Sequence, residues 1–272
     1  MKLDVFFAQH TVFTFEEVFS ALSENHPVNS STLHNLLAYH RQQGHIIRIR
    51  RGLYYTVPQG IDSTTYPVDP FLVASKLASD AVLGYRTALA IFGKLHTISN
   101  EFIYLSTKLE KSPYIFQDVK YRKASIPIPL KKISKERFGV TSIDRLGQKV
   151  FVTSLERTLV DVLDRPNLCG SWEEIWRSLE SIEYFNIEEV LEYAFLLDNA
   201  TTIAKLGFFL ETHRESLLIS EQALEKLLKH CPKKPHYLET QRSTTQKLIS
   251  KWNIIVPSNL IHRTWEEPGE HI

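Results

Sequence analysis

Basic and amide side chains are concentrated in residues 29–58 of this chain. The segment carries four arginines and three histidines, and no aspartate or glutamate. Arginine neutralises backbone phosphates, and arginine, asparagine and glutamine form paired hydrogen bonds with base edges. The segment therefore predicts a surface that binds nucleic acid, if the fold presents these side chains together.

A helix is predicted to begin near Asn29 and to end at Gly44. The run Asn29-Ser30-Ser31-Thr32 consists of residues that cap helix N-termini, and glycine commonly follows the last helical turn. Between them, the spacing of one buried helical face is seen at Leu33, Leu36, Leu37 and His40. This pattern predicts a helix that packs one side on a core.

The opposite side of this helix is polar and mostly uncharged. The residues predicted to point outward are Ser31, His34, Asn35, Ala38 and Gln42, with Arg41 and Tyr39 on the flanks. Asn35 and Gln42 are of the types that pair with adenine, and Ala38 allows the backbone to approach a groove closely. This face predicts contacts with base edges in duplex DNA.

A basic β-hairpin is predicted directly after the helix. Residues 45–50 and 53–57 have strand character, and Arg51-Gly52 forms the turn between them. Arg48, Arg50 and Arg51 would neutralise phosphates or enter the minor groove. The alternative interpretation is a solvated helix and a basic hairpin that bind nothing.

The residues before Asn29 complete a small domain. Thr14-Phe15-Glu16-Glu17 is typical of a capping box at the start of a helix, and residues 3–9 predict an earlier helix. Pro27 prevents one helix from running through to the next. Residues 1–58 therefore predict a winged helix-turn-helix that binds double-stranded DNA.

The length and the charge distribution predict at least one further domain. The chain has 272 residues and a net charge of +1, which is not strongly basic. Residues 106–149 carry eleven lysines and arginines and four acidic residues. Residues 160–230 carry six lysines and arginines and fourteen acidic residues. Residues 58–67 are typical of a linker. The middle that follows predicts mixed helices and strands, including one strand over residues 114–121, and the remainder is mainly helical. The predicted fold class is α+β.

Several classes of protein are disfavoured by the composition. Cys169 and Cys231 are far apart and the histidines are not clustered, which disfavours a metal site and indicates a reducing compartment. No apolar run is long enough for a membrane span, and no signal peptide is evident. We therefore expect a cytoplasmic protein without a cofactor.

Five motifs follow one another along the chain. They are Arg51-Gly52-Leu53-Tyr54, Leu83-Gly84-Tyr85-Arg86-Thr87-Ala88-Leu89, Phe138-Gly139-Val140, Val152-Thr153-Ser154-Leu155-Glu156-Arg157-Thr158-Leu159-Val160-Asp161 and Ala204-Lys205-Leu206-Gly207-Phe208-Phe209-Leu210-Glu211. In their order and spacing they resemble the AbiEi family of bacterial type IV antitoxins and related transcriptional regulators.

The resemblance implies a function and a domain organisation. It implies a winged helix-turn-helix that binds inverted repeats in its own promoter, followed by an antitoxin or regulatory domain at residues 68–230. The implied partner is a nucleotidyltransferase-fold toxin, counteracted without a stable complex. Residues 231–272 resemble nothing in the family and form an extension of unknown role. The resemblance thus implies an autorepressing antitoxin that acts in abortive infection, a form of phage defence.

Four charged residues within these motifs have two interpretations. Arg157 and Asp161 are four residues apart on one predicted helix and Glu156 is beside them, so they can form a structural charge network. Alternatively, they belong to the antitoxin surface. Arg86 is open to the same two interpretations.

Two alternatives to the antitoxin remain. The first is a stand-alone winged-helix regulator whose second domain senses a ligand or a protein partner. The second is a metal-dependent nuclease, because Asp118-Val119-Lys120 has the acid-x-lysine form and Glu101 or Glu110 could supply a second ligand. Such a three-residue match arises often by chance, and no phosphate loop or other catalytic motif is present. The sequence therefore favours a binding protein over an enzyme.

Overall fold

A computed structural model of the protein describes residues 3–24, 27–108, 113–239 and 245–262. The described chain is α+β with mixed sheets, as predicted. It divides into two compact units, each assembled from non-contiguous segments. The first unit comprises residues 1–87, 99–125 and 141–152, and the second comprises residues 88–98, 126–140 and 153–272.

The first unit begins with three helices and three strands. They are α1 (Leu3–Gln9), β1 (Val12–Thr14), α2 (Phe15–Ser23), α3 (Ser30–Gln42), β2 (Ile46–Arg50) and β3 (Leu53–Thr56). The strands form an antiparallel sheet in the order β1-β3-β2. The predicted capping box at the start of α2 is confirmed, because Thr14 and Glu17 bond to each other's backbone N–H. Asn25 and His26, in the predicted turn before α3, lie outside the described residues.

Aromatic and aliphatic side chains from all of these elements share one core. Its buried members are Phe6, Phe7, Phe13, Val18, Leu33, Leu37, Ile46 and Tyr54. The ring of Phe13 contacts Phe6, Phe7 and Tyr54 at centroid distances of 5.2 to 5.6 Å. This core fixes α3 against the sheet, because Leu33 and Leu37 are on the inner face of the helix.

The remainder of the first unit is a mixed sheet with short helices. Its elements are α4 (Pro70–Lys76), β4 (Val82–Leu83), α5 (Arg86–Ile91), β5 (Glu101–Leu105), β6 (Tyr114–Phe116), β7 (Val119–Ala124), β8 (Val140–Arg145) and β9 (Gln148–Thr153). In the described residues the sheet has six strands in the order β6-β7-β5-β4-β9-β8. The chain passes to the second unit within α5.

Polar contacts join the N-terminal elements to this larger sheet. The side-chain amide of Gln148, at the start of β9, accepts from the N–H of Val12 at 2.8 Å and donates to its carbonyl at 2.7 Å. The hydroxyl of Tyr55 accepts from the N–H of Asp69 at 3.2 Å, and Lys76 forms an ion pair with Glu17. Residues 58–67, predicted to be a linker, therefore lie within one compact unit.

The second unit is mainly helical and contains a small sheet. Its elements after α5 are α6 (Ile128–Lys132), α7 (Leu155–Asp164), a 3₁₀ turn (Pro166–Leu168), α8 (Trp172–Glu180), α9 (Ile187–Leu197), α10 (Ala200–Thr212), α11 (Glu221–Leu228), β10 (His236–Tyr237), β11 (Gln246–Ile249), β12 (Ile254–Pro257) and α12 (Ser258–His262). The strands lie in the order β10-β12-β11. Trp252, buried between β11 and β12, packs against Gly207 of α10. The described part of the predicted extension at residues 231–272 is thus folded.

Two predicted features differ from the structure. The single strand predicted over residues 114–121 is a hairpin, because Gln117 and Asp118 adopt left-handed backbone conformations and turn the chain between β6 and β7. Leu36, assigned to the buried face of α3, is 41% exposed. No helix in the described part of the chain combines the length and the apolar composition needed to cross a lipid bilayer.

Candidate nucleic-acid interface

Local hydrogen bonds set both ends of α3. The side chain of Asn29 accepts from the N–H of Ser31 at 2.8 Å, which satisfies one of the free donors of the first turn. At the other end Gly44 has a φ of +76°, a conformation that glycine adopts at little cost, and its N–H donates to Arg41. The predicted bounds of this helix are confirmed to within two residues.

Every side chain predicted to point outward from α3 is exposed. The exposed residues are Ser31, His34, Asn35, Ala38, Arg41 and Gln42. Leu36 and Tyr39 are exposed as well, at 41% and 54%. The apolar type and spacing of Leu36 predicted burial, yet the core around Leu33 and Leu37 does not extend to it. Helical spacing places Leu36 about 160° around the helix from Ala38, so it lies apart from the polar face.

A bulge in the hairpin separates the arginines that sequence alone grouped together. Arg48 pairs with Tyr54 and Arg50 pairs with Leu53, so the register shifts between the two arginines and Ile49 is the extra residue. In a regular strand Arg48 and Arg50 would share one face, because side chains alternate. The bulge instead directs them to opposite sides of the hairpin.

Arg48 and Arg51 face a groove between α3 and the hairpin, here called the helix groove. It has a volume of about 650 Å³ and is also lined by His34, Ala38 and Arg41. The ring of His34 stacks on Phe15 at a centroid distance of 4.2 Å, which fixes its position on the groove wall. The groove thus places three arginines beside the polar face of α3.

One carboxylate lies in the helix groove. Glu16, in the first turn of α2, is exposed and lines the same groove as the arginines. A negative charge at this position repels phosphate and lowers affinity for any polyanion.

Arg50 has a structural contact of its own. Its guanidinium donates to the carbonyl of Leu77, at the C-terminal end of α4. Replacing Arg50 therefore affects the attachment of the hairpin as well as any ligand contact. Arg48 and Arg51 are the better probes of the hairpin's binding role, because both are exposed.

Two histidines lie where α3 meets the hairpin. Nδ1 of His40 and Nδ1 of His45 are 3.0 Å apart, and the His40 ring contacts Phe7 edge to face. Burial, followed by the proximity of His45, lowers the pKa of His40, so its neutral form is favoured near pH 7. Of the two histidines, His40 is the one that packs on the aromatic core, because its ring contacts Phe7.

The four charged residues of the AbiEi-like motifs differ in how deeply they are buried. Arg157 and Asp161 are each 1% exposed, with Nε and Oδ2 3.2 Å apart. Arg157 also donates to the carbonyls of Glu136 and Phe138, and the hydroxyl of Tyr193 donates to Asp161 at 2.5 Å. This buried network joins α7 to α9 and to the segment before β8, so these two side chains are not at the surface.

Glu156 and Arg86 are only half-buried. Glu156 accepts from the N–H of Asn186 at 3.2 Å, which fixes the start of α9. Arg86 begins α5 and belongs to the first unit. Both side chains thus differ from the buried pair in their exposure.

The residues considered for a nuclease have other arrangements. Asp118 is exposed in the turn between β6 and β7, with a φ of +61°. Nζ of Lys120 lies 2.9 Å from Glu101, and Glu110 lies outside the described residues. Among the residues that the structure describes, no group of three histidines, cysteines or carboxylates is suited to hold a metal ion.

Comparison with known proteins gives a fold relationship. Neither a protein family nor a curated protein matches the sequence. The structure is similar to the crystal structure of the RV2827C protein from Mycobacterium tuberculosis, with a TM-score of 0.60 and 16% sequence identity. The likeness covers 94% of this chain and 90% of that protein, and it shows a shared fold.

Proposed function

We propose that this protein binds duplex DNA sequence-specifically through a winged helix-turn-helix formed by α1 to β3. In this arrangement α3 enters the major groove as the recognition helix, and the hairpin of β2 and β3 is the wing. The observation that carries the proposal is the helix groove, in which the exposed polar face of α3 lies beside Arg41, Arg48 and Arg51.

The two elements divide the work of binding. Asn35 and Gln42 are exposed amides on α3, of the type that makes paired hydrogen bonds with adenine, and Ser31, His34 and Ala38 surround them. The arginines supply phosphate contacts, which give affinity on any sequence and weaken as salt rises. A protein of this design acts as a transcriptional regulator, and repression of its own promoter is the expected form.

The test begins with duplexes selected from a random library by the purified protein. Fluorescence anisotropy then measures the affinity of the native protein and of the double variant Arg48→Gln/Arg51→Gln as a function of salt. The variant should bind all sequences more weakly, and the slope of log K against log salt should fall in magnitude by about 1.8, or 0.9 for each lost phosphate contact.

A matched control removes two positive charges elsewhere. Lys226 and Lys229 are exposed on α11 and just after it, in the second unit. The variant Lys226→Gln/Lys229→Gln should retain the native affinity and salt slope. Failure of the native protein to select or bind any duplex would refute the proposal, as would unchanged binding by the arginine variant.

Asn35→Ala tests the reading of sequence. We expect a loss of preference at one base pair, worth about 1–3 kcal/mol, while affinity for unrelated DNA stays the same. Repeated library selection with the variant measures this directly. An unchanged preference would remove Asn35 from the base-reading set.

The antitoxin role rests on the motif resemblance alone. It is tested by asking whether a neighbouring gene encodes a nucleotidyltransferase-like protein whose toxicity is relieved when this protein is co-expressed. If the neighbour is a transport or metabolic gene and no toxicity is relieved, the stand-alone regulator is favoured instead.

A further inference from the structure

A second basic groove, here called the sheet groove, lies on the other side of the hairpin from the helix groove. It has a volume of about 740 Å³ and is lined by residues of α2, the hairpin, α4 and the larger sheet, all within the first unit. Its lining includes five lysine or arginine side chains and two glutamates. Arg51 and Gly52, at the tip of the hairpin, line both this groove and the helix groove.

Two of the five cations are engaged within the protein. Lys76 forms its ion pair with Glu17, and Arg50 donates to the carbonyl of Leu77. The other three are Arg51, Lys108 and Lys149, and all are exposed. None of the three forms an ion pair with a carboxylate in the described parts of the chain, and the Lys149 ammonium lies 5.2 Å from the centroid of the Phe151 ring, which carries no charge. No carboxylate in the described residues therefore neutralises these three charges, which can meet an external anion.

The wall that carries these lysines is fixed relative to the hairpin. Lys149 follows Gln148 in β9, and Gln148 holds both backbone groups of Val12 in β1. The hydroxyl of Tyr114 in β6 donates to the carbonyl of Ile49 in the bulge. Contacts of this kind keep Lys149 in a set position beside the hairpin tip, rather than on a separately moving domain.

We propose that the sheet groove binds the DNA backbone beyond the wing, with Lys108 and Lys149 contacting phosphates that the helix and hairpin do not reach. This inference rests on the proposed function. Arg51 lines both grooves, and Lys108 and Lys149 line the sheet groove with it on the far side of the hairpin. A duplex that leaves the helix groove past Arg51 presents successive phosphates there, and several exposed cations in one groove suit such a polyanion.

The experiment uses the full protein and the variant Lys108→Gln/Lys149→Gln. Both side chains are exposed, so native folding is expected and is checked by thermal denaturation. The magnitude of the salt slope should fall by about 1.8 relative to the native protein, without a change in the selected base sequence. The control variant Lys226→Gln/Lys229→Gln should retain the native slope.

Duplex length gives a second, independent readout. The selected site is extended by roughly 10 bp, one helical turn, on the wing side or on the opposite side. Extension on the wing side should tighten binding by the native protein, and the lysine variant should lose most of that gain. Extension on the opposite side should affect both proteins equally.

The outcomes distinguish failure of the proposed function from failure of this inference alone. If the native protein binds no duplex, the proposed function fails and the inference fails with it. If the arginine variant loses affinity while the lysine variant keeps the native slope and length dependence, the inference alone is overturned. The inference is also overturned if the native protein binds fluorescent ATP and the Lys108→Gln/Lys149→Gln variant does not, while the two proteins give the same duplex measurements. The groove would then be a nucleotide site.

Discussion

Gly207 is a position at which one added methyl group should destabilise the protein. It lies within α10, and a Cβ atom built on it would overlap the six-membered ring of Trp252, lying 2.5 Å from Cη2 and closer still to Cζ3. Trp252 is fully buried, and its Nε1 donates to Glu211 at 2.6 Å. The ring cannot retreat without losing that hydrogen bond and its packing.

The expected size of the effect follows from opposing contributions. Alanine is favoured over glycine within a helix by about 1 kcal/mol. Overpacking typically costs about 1–3 kcal/mol, and loss of a hydrogen bond to a charged group costs about 1.5–3 kcal/mol. We therefore predict that Gly207→Ala lowers the free energy of unfolding by about 2 kcal/mol or more.

Urea denaturation of four proteins tests this prediction. They are the native protein, Gly207→Ala, Trp252→Leu and the double variant. In the Trp252→Leu background the added methyl group has space, so Gly207→Ala should there raise stability by about 1 kcal/mol. The change of sign is the diagnostic result. If Gly207→Ala stabilises both backgrounds equally, the close packing of Trp252 on α10 is wrong.

Three further predictions concern charged side chains. Glu16→Gln should tighten duplex binding about 2–5-fold, because it removes a repulsive charge from the helix groove. The control Glu215→Gln, in the second unit, should leave the affinity unchanged, and fluorescence anisotropy measures the affinity of both variants. Arg157→Met should lower stability by about 3–5 kcal/mol in urea denaturation, since it leaves Asp161 buried without its partner, and a loss below about 1 kcal/mol would contradict the network. Burial lowers the pKa of Lys205 to about 8 from an ordinary 10.5. Between pH 8 and pH 10.5 the unfolded chain therefore binds more protons than the native protein, and the free energy of unfolding rises by about 3 kcal/mol across this range. Lys205→Met should lack this gain, so the free energy of unfolding of the native protein minus that of the variant, from urea denaturation, should become more positive from pH 7 to pH 10.

Local signals in the sequence were sufficient to predict the main elements of the candidate interface. The caps of α2 and α3 lie within a few residues of the helices they start, and the polar face of α3 follows from helical spacing. Such features depend on neighbours along the chain, so the sequence alone predicts them.

The features that escaped prediction depend on distant or irregular contacts. Arg50 differs from Arg48 because of a bulge, and the alternation in Ile46-Ile47-Arg48-Ile49-Arg50 gives no sign of it. The partner of Arg50, Leu77, is 27 residues away, and Gln148 is 136 residues from Val12. The turn at Gln117 and Asp118 lacks the glycine that usually marks a left-handed conformation. The misses at Arg50 and Gln148 have the same cause, since the deciding neighbour is not adjacent in sequence, whereas the turn is missed because its own residues do not mark it.

The bond between Gln148 and Val12 also has a consequence for protein synthesis. The N-terminal elements emerge first from the ribosome and contain their own aromatic core, yet the groups that hold β1 and the hairpin to the larger sheet are made much later. The surface that we propose for DNA is complete only when residue 149 has been translated and has folded back. A nascent or prematurely terminated chain would carry the proposed recognition helix without the full set of phosphate contacts, and a gene fragment encoding residues 1–58 would lack Lys108, Gln148 and Lys149.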